Sequence, residues 1–118
     1  MIISKTPFRI SFFGGGTDYP AWFKKNSGQI LSTTINKYCY ISLRYLPQFF
    51  LNKNRIVWSR IETVNKIKKI IHPAIRHGLI NYNLKDVEIH HFSDLPARSG
   101  VGSSSSFVVG LINCIQTL

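Results

Sequence analysis

Acidic side chains are scarce in this chain: 118 residues carry five Asp and Glu against fifteen Lys and Arg, a net charge of +10. That balance is compatible with a phosphate-rich partner but by itself decides nothing. Cysteine is nearly absent as well. Cys39 and Cys114 stand in apolar surroundings with no neighbour at metal or redox spacing, which excludes a disulfide framework and a thiolate metal centre. Both are read as buried, reduced thiols. Long hydrophobic runs are missing too. The longest, Phe107 to Leu118, is broken by Gly110, Asn113 and Gln116 and is too short to cross a bilayer. The first residues lack a charged-then-apolar leader, so a cytoplasmic location is expected and no membrane partner. Lys and Arg are spread along the chain, with Lys66-Ile67-Lys68-Lys69 the one local cluster. Charge alone therefore does not mark a nucleic-acid binder, and nucleic acid is not expected as the partner.

What is present is enough for one modest core. At 44% hydrophobic content, residues 1–118 read as a single domain. Ile2 to Phe13 is apolar and β-rich around Pro7, which predicts two short strands or one bent one. Pro20 suits the first turn of a short helix carrying Trp22 and Phe23. Gln29 to Ile35 and Tyr38 to Leu46 flank Asn36-Lys37, a predicted hairpin turn, and Arg55 to Arg60 predicts a further strand. Ala74 to Ile80 follows Pro73 with helical spacing. Val87, Ile89 and His91 alternate with Glu88, His90 and Phe92, as a strand over Asp86 to Phe92 requires. Adjacent His90 and His91 then point to opposite faces and make no metal pair. The final helix, apolar on most of its circumference, is expected to be buried on several sides.

Two glycine segments carry the chemistry. In the first, Gly14-Gly15-Gly16 follows a strand and permits close backbone approach to a ligand, while Thr17 and Asp18 offer a hydroxyl and a carboxylate for sugar hydroxyls. The second is Asp94-Leu95-Pro96-Ala97-Arg98-Ser99-Gly100-Val101-Gly102-Ser103-Ser104-Ser105-Ser106, which opens directly into the last helix. Backbone amides and the helix dipole there converge on one point, a ready place for a phosphate group.

Together the two motifs resemble those of the GHMP kinases, the superfamily of galactokinase, homoserine kinase and mevalonate kinase. Lys5 to Tyr19 matches the first family motif, with Gly15-Gly16 standing where Glu-His is usual. Pro96 to Ser106 matches the second, with Val101 in place of Leu. The G-G-G-T-D and D-L-P-x-x-S-G-V-G-S-S-S-S forms look most like the branch typified by D-glycero-D-manno-heptose 7-phosphate kinase. The resemblance implies an α+β fold, that of the GHMP kinase N-terminal domain, related to the second domain of ribosomal protein S5 and here incomplete. It implies ATP- and Mg²⁺-dependent phosphorylation of a sugar or sugar phosphate. Pro96, Ser99, Gly100, Val101, Gly102, Ser103, Ser104, Ser105 and Ser106 would hold ATP, with Ser104 also meeting Mg²⁺. Gly14, Gly15, Gly16, Thr17 and Asp18 would hold the sugar, and Arg9 and Lys5 would stand near the transferred phosphoryl group. The family's general-base Asp lies downstream of the serine loop and matches none of Asp18, Glu62, Asp86, Glu88 or Asp94. The chain alone is therefore expected to be an inactive truncated form, or one half of a split kinase completed by a C-terminal chain. A different reading remains: a non-catalytic basic module for RNA or other anionic partners.

Overall fold

The alternation in the extended stretches calls for a sheet with one face on a core. In the computed structural model, which describes all 118 residues, that sheet has five strands: β1 (Ile2–Phe13), β2 (Leu31–Tyr45), β3 (Asn54–Val57), β4 (Ile61–Val64) and β5 (Val87–Ser93). They lie in the order β1-β2-β5-β3-β4, antiparallel except for β3 beside β5. Helices α1 (Pro20–Phe23), α2 (Pro73–Asn81) and α3 (Ser103–Thr117) complete the chain, with a 3₁₀ turn at Ile67–Lys69. The mixed α+β class is as expected.

One phase of the strands makes the core. Cys39, Ile41 and Leu43 of β2, Ile56 of β3, and Val87 and Ile89 of β5 are buried against Ile75 and Leu79 of α2 and Phe107, Leu111, Cys114 and Ile115 of α3. Both thiols are free and buried. Burial pushes the Cys39 thiol up to about 11, so it is inert at neutral pH. The close seat of α3 on β1 depends on Gly110, where a methyl group would lie 2.8 Å from both Ser4 Oγ and Thr6 Oγ1.

Three expectations need correction. Asn36-Lys37 is no hairpin turn, because β2 runs unbroken from Leu31 to Tyr45. The polar pair sits at a bulge instead: Pro7 opposes Tyr38 and Arg9 opposes Thr34, so Phe8 alone faces Ile35, Asn36 and Lys37. Pro7 has no N–H to give the ladder, which is why the irregularity falls there and why β1 is one bent strand. Arg55 to Arg60 is not one strand. The chain reverses through Trp58, whose N–H meets the Arg60 carbonyl at 2.8 Å, and β4 follows. Finally, α3 is buried along one side, while Val108 and Val109 are exposed.

Candidate functional site

The bulge in β1 sets the site. Ser4 and Thr6 face α3, and Phe8 enters the core. The extra residues opposite Phe8 shift the alternation, so Arg9 also turns toward α3. Its side chain lies across Gly102, where a methyl group would stand 3.2 Å from Arg9 Cγ and 3.4 Å from Nε. The loop is docked by two bonds to the same bend: Arg9 N–H donates to Val101 O at 3.1 Å, and Ser106 Oγ donates to Pro7 O at 3.0 Å.

Gly102 is the N-cap of α3, at φ 70°, and no side chain caps the helix. Its first internal bond runs from Ser106 N–H to Gly102 O. The amides of Ser103, Ser104 and Ser105 therefore have no internal acceptor, and they project from the positive end of a 15-residue helix. Ser104 and Ser105 are exposed, Ser103 is half-buried, and Gly100 has open space where a side chain would be. Ser106 differs, since its hydroxyl is buried and committed to β1. Pro96 and Ser99 lie on the exposed approach to the loop, and Val101 packs toward the core.

Beside these amides opens a cavity of about 340 Å³, lined by Trp58, His72, Pro73, Ala74, His91, Ala97, Ser103, Ser104, Phe107 and Val108. Rings form its wall: Trp58 meets His72 edge-on at 5.0 Å, and Phe107 lies 4.8 Å from His72 and 4.9 Å from His91. Buried Glu62 fixes the wall by accepting from Trp58 Nε1 at 2.8 Å and from Ile71 N–H at 2.6 Å. Burial lowers His72 below its usual range against a weaker pull upward from Glu62; burial and then His72 lower His91. Two uncharged imidazoles thus face an aromatic cleft that ends at free amides. The strand alternation put His90 and His91 on opposite faces without marking the cleft, because its lining comes from the β3–β4 turn, the start of α2, β5 and α3.

The first glycine segment is joined to this site only through β1. Arg9 Nη1 donates to Ser11 Oγ at 2.6 Å, and a methyl at Gly15 would lie 3.5 Å from Ser11 Cβ. Thr17 Oγ1 donates to Gly14 O at 2.8 Å and lies 3.2 Å from Gln29 O, so this hydroxyl closes its own loop. Asp18 Oδ1 accepts from Gly16 N–H at 3.1 Å, leaving Oδ2 exposed. Lys5 is not brought to the serine loop. It neighbours Thr6 and Ser4 in sequence but points the opposite way, with Nζ 4.0 Å from the centre of the Tyr38 ring.

The carboxylates are occupied elsewhere. Glu62 holds Trp58, Glu88 pairs with Arg44 and Arg55, and Asp94 Oδ2 accepts from Tyr38 N–H at 2.8 Å. Asp86 lies at the far end of β5 from the loop. No group of three or more His, Cys, Asp or Glu is placed to hold a metal ion. Next to the free amides, Ser104 offers one neutral oxygen, which does not make a magnesium site without the oxygens of a bound phosphate. No helix is long and apolar enough to cross a membrane.

Comparison with known proteins agrees with the fold. The family described as GHMP kinases N terminal domain matches residues 64–118, from the end of β4 through α3. The D-glycero-alpha-D-manno-heptose 7-phosphate kinase of Campylobacter jejuni subsp. jejuni serotype O:2 is 29% identical over 121 residues, covering 94% of this chain and 36% of that protein. A D-glycero-D-manno-heptose 1-phosphate kinase from Bacteriodes thetaiotaomicron superposes with a TM-score of 0.82 at 25% identity, over 100% of this chain and 43% of that one. A mevalonate kinase, at 20% identity and a TM-score of 0.69 over 99% of this chain and 40% of that one, shares the fold. The chain thus spans well under half the length of these relatives.

Proposed function

We propose that this chain, which is similar to the GHMP kinases over their N-terminal part, binds ATP with the phosphates on the serine loop and the base in the adjoining cleft. The observation that carries this is the continuity of the three free amides of Ser103, Ser104 and Ser105 with the aromatic cavity around Phe107. A nucleotide needs both ends at once, an anion cradle and an apolar slot for a flat ring. Arg9, laid over Gly102, adds a fixed positive charge at the phosphate end. Ser104 Oγ, beside the free amides, would offer a neutral oxygen to Mg²⁺, which when bound would neutralise phosphate charge.

The acceptor in this reading is a sugar phosphate, and a heptose phosphate fits the named relatives. Its hydroxyls meet the open backbone at Gly15 and Gly16 and the free oxygen of Asp18. Phosphoryl transfer needs positioning and charge neutralisation more than covalent chemistry, which amides and Arg9 supply. It also needs an acceptor for the hydroxyl proton. In this reading Asp18 holds the acceptor's hydroxyls and the other carboxylates are engaged elsewhere, so these residues bind and align without turning over, and the base would come from outside them. The relatives are kinases, so a purely non-catalytic role is not favoured.

The test uses the tryptophan in the cleft. In a Trp22→Phe background, ATP is expected to change Trp58 fluorescence saturably, and Arg9→Ala to weaken that response about tenfold, the loss of one charge-assisted contact. An unchanged Trp58 signal at millimolar ATP, or an equal response to inorganic phosphate, would refute the assignment.

A further inference from the structure

Cationic residues that are scattered in sequence are gathered by the fold on the sheet face away from α2 and α3. Lys5 on β1, Arg44 on β2 and Arg55 on β3 all stand on that face, at positions opposite or beside Tyr40 and Glu88. Across β1, β2, β3 and β5 the only acidic residue is Glu88, and its charge is consumed. Arg44 Nε donates to Glu88 Oε2 at 2.6 Å, Arg55 Nη1 bonds Oε1 at 2.5 Å, and His90 Nε2 lies 3.0 Å from Oε1. Burial pushes the Glu88 carboxyl up, but these three partners outweigh it and hold it at about 2. A buried carboxylate thus pins two guanidiniums whose remaining N–H groups face solvent, since Arg44 and Arg55 side chains are 44% and 38% exposed. They border an open cavity of about 290 Å³ that also takes in Met1, Ser42 and His90.

Next to the arginines stands a row of rings on the two central strands. Tyr40 is directly opposite Phe92, and Ser42 opposite His90. His90 and Phe92 stack at 6.1 Å, Tyr38 and Tyr40 lie 6.1 Å apart, and Lys5 Nζ sits over Tyr38. Phe92 is 57% exposed although nothing about its strand forces an aromatic outward. Planar π faces on central strands, flanked by fixed cations and with the one carboxylate buried beneath two guanidiniums, complement unpaired bases joined by phosphates.

We infer that this face binds single-stranded RNA, with bases on Tyr40 and Phe92 and phosphates on Lys5, Arg44 and Arg55. This surface lies across the sheet from the serine loop and does not depend on nucleotide binding there. A dye-labelled single-stranded oligouridylate titrated into the full chain should bind with a log–log salt slope of about −2, the value for three phosphate contacts on a single strand. Phe92→Ala should weaken binding about tenfold or more, the scale of one lost base stack. Lys5→Gln should weaken binding and flatten the salt slope by about 0.7. Both side chains are exposed, so an unchanged melting temperature checks that each variant folds. Saturating ATP should leave RNA affinity unchanged. The inference fails if the oligonucleotide does not bind at low salt, if duplex RNA binds as well, if Phe92→Ala binds like the parent, or if ATP displaces the RNA.

Discussion

A methyl group added at Gly14 would sit 1.8 Å from the Gln29 carbonyl oxygen, whereas one at Gly100 would meet nothing within 4 Å. Both glycines have left-handed backbone, φ 78° and 75°. In the first segment the small residue serves the chain itself. Gly14 and Gly28 let two backbones touch at the neck of the loop from 14 to 29, where a methyl at Gly28 would stand 2.6 Å from Thr17 O. In the second segment the space is left for something outside the chain. Similar composition therefore hides two kinds of need, one answered by Gln29 and one still open to a ligand.

The sharpest way to break that comparison is the pair Gly14→Ala and Gly100→Ala. The first must move backbone as well as adopt a strained φ, so a loss of about 3 kcal/mol or more is expected. The second carries only the left-handed penalty, about 1 kcal/mol. Urea unfolding of both variants checks this, and equal losses would mean that the neck at Gln29 is not formed as described. ATP binding should follow the reverse order among variants that remain folded.

Gly110→Ala comes next in size. Its methyl would meet two hydroxyls at 2.8 Å, Ser4 Oγ and Thr6 Oγ1, on the rigid strand that positions Arg9. Alanine favours a helix by roughly 1 kcal/mol over glycine, yet overpacking costs about 1–3 kcal/mol, so a net loss near 1 kcal/mol is expected. Because α3 would be lifted from β1, Trp58-detected ATP binding should weaken further than stability alone explains. A stabilised variant would show that the helix has room to spare.

Much of this architecture was legible because local signals and tertiary demands coincide. Pro20 and Pro73 open helices where expected, and the alternation of Cys39, Ile41 and Leu43 marks the buried phase of β2. The failures have a common physical origin. Asn36-Lys37 carries turn chemistry, but the demand on β2 is set by Pro7 across the ladder, information that lies about thirty residues away. The free amides of the serine loop were legible, since they follow from local backbone alone. The cleft beside it was not, because Trp58, His72, His91 and Phe107 meet only after β3, α2, β5 and α3 have packed. Lys5 was misplaced for the simplest reason: a strand reverses its faces at every residue, and motif spacing carries no record of that.

Acid gives a smaller test, and it separates the cleft from the opposite face. His72 and His91 have lowered values in the folded chain against 6.5 when unfolded, so the unfolded state binds more protons over that interval. Stability should then rise with pH up through 6.5 and fall as pH drops below it. Glu88 acts in a different window. Its folded value of about 2 lies below the ordinary 4.5, so its contribution is intact above 4.5 and is lost as pH falls toward 2. Urea midpoints between pH 5 and pH 7 lie above the Glu88 window, and the slope there carries the cleft histidines. His91→Phe should flatten that slope; an unchanged slope would place the titrating group elsewhere.

The smallest expected effect concerns Ser4, whose hydroxyl is the one buried side-chain polar atom without a hydrogen-bond partner. An unpaired buried hydroxyl costs free energy without return, so Ser4→Ala should leave stability unchanged or raise it by up to about 1 kcal/mol. The same substitution removes one of the two atoms that the Gly110→Ala methyl would strike. The double variant should therefore lose less than the sum of the single changes, with a coupling of about 0.5 kcal/mol or more. Strict additivity would mean that α3 does not rest on β1 through this contact, and the link from helix seat to amide cradle would have to run through Ser106 and Pro7 alone.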